Sequence, residues 1–193
     1  MDKQLQYTRP TVALVVLIAL ISIGCSNNLT YQAAMEKNRR NISEISKLED
    51  ANFLTEAASY NLLEKQVAEL AMERGYSSVL VDLAREKVEE FEDKEKAISK
   101  LARKKKIKIP AELKSEHRII LDRLASSAKA EFDSEFISAM EEVNEEHTEL
   151  YEEKSSQADD ADIRAFAARN LDFLRQNANE LAKVDDQLMH THR

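Results

Sequence analysis

The 193-residue sequence is poor in the residues that break or crosslink chains: two glycines, two prolines, one cysteine and no tryptophan. A single cysteine excludes an internal disulfide and a thiolate zinc site. So few glycines exclude the Gly-rich loops that cradle phosphates. Proline and glycine at this level leave little to punctuate strands and turns, and no strand or internal repeat is expected. Positive charge is also in deficit. The formal net charge of −8 argues against nucleic acid as a partner, because phosphate contacts need a basic surface.

What is present is a helix-former composition. The chain is 43% apolar and 33% charged, enough apolar content to build a core and remain ordered. Apart from Lys37, Lys3 and Arg9 are the basic residues of the first 38 positions, and the apolar run Val12–Ile23 follows them, interrupted by Ser22. A permanent bilayer span needs about 20 apolar residues, so this run reads instead as the core of an export signal. It ends at Gly24, and Cys25 follows. The stretch ISIGCS (21–26) resembles a bacterial lipobox, with Ser22 standing where leucine is usual. That resemblance implies a signal peptide over 1–24 and diacylglyceryl transfer to the Cys25 thiol. Two or three acyl chains make a stable anchor. Ser26, where sorting signals of enterobacterial relatives place Asp for retention, points toward the outer membrane. The chain is therefore expected in the envelope, lipid-anchored and facing the periplasm.

Beyond the leader, Gly75 and Pro110 are the remaining strong breakers. Residues 25–49 read as a lipid-attached spacer, with 31–48 as a frayed helix or stalk. Asp50 is placed to cap the first strong helix, about 51–74. Its stripe is Phe53, Ala57, Tyr60, Glu64, Val67 and Ala71, the 3–4 spacing of one helix face. Gly75 then suits a left-handed residue just past the helix end. Ser77 or Ser78 starts a second helix to about 106, with Leu80, Ala84, Val88, Phe91, Glu95, Ile98 and Leu101 on one face. Its basic end, KLARKKKIK, complements the negative helix terminus and could also meet anionic lipid headgroups. Pro110 is expected to force the exit.

A short helix follows over 115–124, with His117 on its surface. The third long helix, about 129–155, buries Phe132, Phe136, Met140, Val143, His147 and Leu150. Its glutamates, from Glu141 to Glu153, form a solvated face. The fourth helix, about 160–188, presents Ile163, Phe166, Leu171, Leu174, Leu181 and Leu188, and a tail with His190 and His192 closes the chain. The expected fold is all-α: an antiparallel four-helix bundle over 50–189, with an extra short helix between helices two and three.

The segment IKIPAELKSEHRIILDRLASSAKAEFDSEFISAM (107–140), with FLTEAASYNLLEKQVAELA (53–71) and AFAARNLDFLRQNANEL (165–181), resembles a bacterial domain family of unknown function. Its members are ferritin-like in helix pattern and carried by exported or outer membrane proteins. The resemblance covers about 50–185. It implies a helix-one acid, kept here as Glu64. It also implies histidines at three places where this chain has Phe91, Asn144 and Asn177.

Ferritin-like iron centres use inward carboxylates and Glu-x-x-His pairs. No Glu-x-x-His occurs, although Asn144-x-x-His147 has that spacing. An inward polar cluster of Glu64, Glu95, Asn144, His147 and Asn177 is expected, pairing within the bundle to satisfy a buried carboxylate. No cofactor and no catalysis are expected. The function that follows is a lipid-anchored binding or structural module for an unknown envelope partner. Two alternatives stand beside it: an iron or manganese protein using Glu64, Glu95 and His147, and a periplasmic holdase chaperone.

Overall fold

A computed structural model describes residues 29–191; Cys25 and the leader lie outside the described residues. Six helices follow in order: α1 (Tyr31–Asn41), α2 (Ile45–Arg74), α3 (Ser78–Lys105), α4 (Ser115–Ser126), α5 (Phe132–Gln157) and α6 (Ala161–Thr191). No strand occurs among them. The long helices pack in the cyclic order α2–α3–α6–α5. Each runs antiparallel to both neighbours, so hairpin turns link α2 to α3 and α5 to α6. Most residues of the expected stripes are buried, with Val88, Leu101 and Leu150 half-buried and Glu95 exposed. Phe53, Leu63, Val67, Leu80, Phe132, Ile163 and Leu174 are all sealed from solvent, each worth roughly 1.5–3 kcal/mol of burial.

The α3–α5 connection is not a short link. Because α3 and α5 point the same way, residues 106–131 must travel the length of the bundle, and α4 lies along α2 and α5 on the way. The end of α3 is set before Pro110 is reached. Lys106 adopts a left-handed conformation (φ 58°). Its N–H meets the Arg103 carbonyl and the Ile107 N–H meets that of Ala102, the double bond of a Schellman cap. Gly75, expected to be left-handed, has φ −50°. Glycine is needed there for closeness: an added Cβ would stand 2.7 Å from the Ala71 carbonyl oxygen and 2.9 Å from Val81 Cγ2. Asp133 closes the same turn by accepting from the Tyr76 and Ser77 N–H groups at 2.8 and 2.7 Å.

The expected stalk is also corrected. Residues 31–41 form a helix docked on α2, with Ala34 and Asn38 buried. The Asn38 amide donates to the Lys108 carbonyl and accepts from the Lys108 N–H, both at 2.8 Å. It thereby completes the backbone pairing of the crossover. Asp50 is no cap. It lies inside α2, which begins at Ile45. Burial, followed by the charge of Asp160, raises its carboxyl above the usual range.

Candidate functional site

The apolar core is in two parts. One, around Leu63, Val67, Leu80, Phe132 and Leu181, fills the end where α2 turns into α3. The other, around Phe53, Ile98, Tyr151, Ile163 and Leu174, fills the opposite end. A polar layer lies between them, built from all four long helices. Helix periodicity explains the construction: each polar residue occupies a core-facing register position of its own helix.

Four of the five expected cluster residues belong to this layer, all buried: Glu64 at 0% exposure, Asn144 at 5%, His147 at 4% and Asn177 at 4%. Glu64, Asn144 and Asn177 line one cavity together with Phe91 and Met140. It leaves about 20 Å³ for the centre of a water-sized sphere, room for a single water or ion. Phe91, Asn144 and Asn177 are the three places where the resemblance implied histidine. The structure brings them to one spot beside the retained acid.

His147 reaches Glu64 from the side, with Nδ1 3.1 Å from Oε2. The approach is not aligned as a hydrogen bond. Both Glu64 oxygens, both His147 nitrogens and the Oδ1 atoms of Asn144 and Asn177 have no hydrogen-bond partner. The His147 ring is held by aromatic contacts: Tyr60 stacks on it at 4.9 Å and Tyr151 meets it edge-on at 4.9 Å. Burial raises both phenols above their ordinary range. For Tyr60 its hydrogen bond to Glu146 adds to the rise, and for Tyr151 the Glu64 charge does.

Glu95 is not part of the cluster. Its side chain is about half exposed and pairs with Lys65 across the α2–α3 surface. The stripe drifts by that point of α3, and Lys94 and Ile98 face the neighbouring helices instead. The metal set Glu64–Glu95–His147 is therefore not assembled. Among the described residues no three His, Cys, Asp or Glu side chains lie close enough to hold an ion by themselves.

Sequence reasoning missed two members of the region. Lys87 is buried and bridges α3 to α6, with Nζ 2.6 Å from Glu90 and 2.5 Å from Glu180. Its aliphatic stem lines the cavity. Its position one residue before Val88 on the apolar face was the available signal, since a lysine stem can pack as hydrocarbon. The second is His117, expected at the surface and found 1% exposed. The Lys114 N–H donates to Ser59 Oγ at 3.1 Å. The same hydroxyl pairs with His117 Nδ1 at 2.8 Å. Burial, with the nearby Lys114 ammonium, pushes this imidazole down to about 4. The glutamate face of α5 is solvated as expected, all seven side chains from Glu141 to Glu153 being exposed.

Solved structures share this architecture. CopM in its Cu(II)-bound form superposes with a TM-score of 0.61 at 17% identity, covering 72% of this chain and 97% of that one. CopM in its Cu(I)-bound form gives 0.60 at 17% identity, covering 72% and 96%. At that identity the likeness establishes the fold alone. No curated protein matches the chain by sequence. The family described as a domain of unknown function, DUF4142, matches residues 34–184, and the chain belongs to that family.

Proposed function

We propose that this protein is a lipid-anchored helical bundle of the bacterial envelope that acts by binding and not by catalysis. The observation that carries the anchor is Cys25 at the end of the run LVVLIALISIG, four residues before Leu29. Leu29 is held on the bundle, its carbonyl accepting from the Ala111 N–H at 2.8 Å. No helix among the described residues is long and apolar enough to cross a membrane. Four residues reach at most about 14 Å. The bundle flank near Ala111 is therefore kept close to the membrane, in place of standing off on a stalk.

Binding is favoured over catalysis by the form of the polar layer. Its converging groups surround room for one water, far too little for an organic substrate. The wider grooves, of about 270 and 420 Å³, are lined by no histidine and no thiol. The apolar side chains left in solvent around the α2–α3 turn, Met72, Tyr76 and Val79, are the surface such a module would offer to an envelope partner.

The anchor is tested by cell fractionation of the full chain and mass spectrometry of its N-terminal peptide. The expected result is a diacylglyceryl-modified Cys25 in the membrane fraction, and release of Cys25→Ala into the soluble fraction. A free Cys25 thiol in wild-type protein, or membrane retention of Cys25→Ala, would refute the anchor.

A further inference from the structure

We propose that the polar layer is a binding site for one divalent first-row transition-metal ion, held by Glu64 and His147 with the side-chain oxygens of Asn144 and Asn177. This goes beyond the envelope reading and does not depend on it. Four buried oxygens stand without a donor: both of Glu64, and Oδ1 of Asn144 and Asn177. Three of the side chains line the same 20 Å³ cavity. One water fits that space but donates only two hydrogen bonds. A cation there would neutralise the Glu64 carboxylate, which has no aligned hydrogen bond of its own, with Asn144 and Asn177 lining the same cavity.

The Glu64–His147 contact fits the same reading. Donor atoms at about 2.0–2.2 Å from one ion, in cis positions, stand roughly 3 Å apart. Oε2 and Nδ1 are 3.1 Å apart and are not aligned for a hydrogen bond. A carboxylate, an imidazole and two amide oxygens form a borderline donor set. Calcium and magnesium prefer oxygen alone, and copper(I) prefers sulfur, so a divalent transition metal is the match. Two amides in place of stronger donors make the site a weak one. The surrounding layer supports it from outside, with Tyr60 and Tyr151 fixing the His147 ring. The Lys87–Glu180 pair spans the α3–α6 seam beside the cavity.

The experiment uses the full chain, purified without chelator and dialysed separately against Zn(II), Mn(II) and Cu(II). Bound metal is counted by elemental analysis, and the Cu(II) form is examined by electron paramagnetic resonance. Expected for at least one of these metals is one ion per chain, with nitrogen coupling from a single imidazole in the Cu(II) form. Affinity should fall at least about tenfold in Glu64→Gln and in Asn177→Leu, and rise in Asn177→His, where an imidazole replaces a poor ligand. The exposed variants Glu149→Gln and His190→Gln should bind as wild type. Circular dichroism reports whether each variant folds. Should Glu64→Gln fail to fold, loss of the nitrogen coupling in His147→Gln decides in its place. Absence of stoichiometric binding in wild-type protein, or binding unchanged in Glu64→Gln or carried by His190, would overturn the proposal.

Discussion

At the scale of single residues, burial decides behaviour that residue type leaves open. His117 and His147 sit on two sides of the Tyr60 ring, 4.4 and 4.9 Å between centroids, yet they differ in their partners. His117 is held neutral by burial and Lys114, and its ring titrates near 4. An unfolded histidine titrates near 6.5. Above about 6.5 both states are neutral and this residue adds no pH dependence. Between about 6.5 and 4 the unfolded chain takes a proton that the folded chain refuses, so acid favours unfolding. The loss approaches about 3 kcal/mol at the low end of that window. Urea denaturation at pH 7.0 and 4.5 checks it: wild-type stability should fall with acid, and His117→Gln should lose less over the same interval. An equal fall in both proteins would contradict the assignment. His117 was invisible in the sequence because a twelve-residue helix has two plausible apolar faces. The side chosen depends on where α4 lands on α2. Glu64 and His147, in contrast, were legible because each falls on a long, regular stripe.

At the scale of elements, the helices follow from local sequence and their ends follow from contacts. The α2–α3 turn is the sharpest case. Gly75 has an ordinary negative φ, so conformational freedom is not the reason for glycine. The Ala71 carbonyl and Val81 leave no space for a methyl group. Gly75→Ala should therefore cost about 1–3 kcal/mol through overpacking, read as a lowered melting temperature. A stabilised variant would mean that the turn relaxes freely. The α3 terminus reverses the expectation, because its left-handed residue is Lys106 and not a glycine. The bond between Ile107 and Ala102, together with their shared place in the core, offsets a cost of roughly 1–2 kcal/mol. Helix α1 shows the limit of stripe reading. Its eleven residues carry too few large apolar side chains to reveal a buried face, and Asn38 docks it through polar bonds to Lys108.

At the scale of the whole molecule, the bundle is two apolar halves joined by a polar layer. Such a layer stabilises poorly but can set helix register, since shifting one helix strands its partners. In metal-free protein Glu64→Leu should be neutral or stabilising, because it removes a buried carboxylate that has no hydrogen-bond donor. Calorimetric melts of the wild type, Glu64→Leu, His147→Leu and the double variant measure the coupling between the two residues. A large loss of stability in metal-free Glu64→Leu would show that the carboxylate is satisfied within the bundle.

The number of long helices and most of their inward stripes were determined by the sequence alone, because 3.6-residue periodicity and scarce breakers are local properties. So were the helical class and the exposed glutamate face of α5. Only the tertiary structure decided which polar residues meet. Phe91, Asn144 and Asn177 lie far apart along the chain, and their arrival beside Glu64 depends on how far each helix slides against the next. Glu95 was lost for a different reason: the stripe of α3 drifts around the helix axis and turns that side chain to solvent beside Lys65. The course of residues 106–131 likewise depended on α3 and α5 being parallel, a relation between elements that no local pattern encodes.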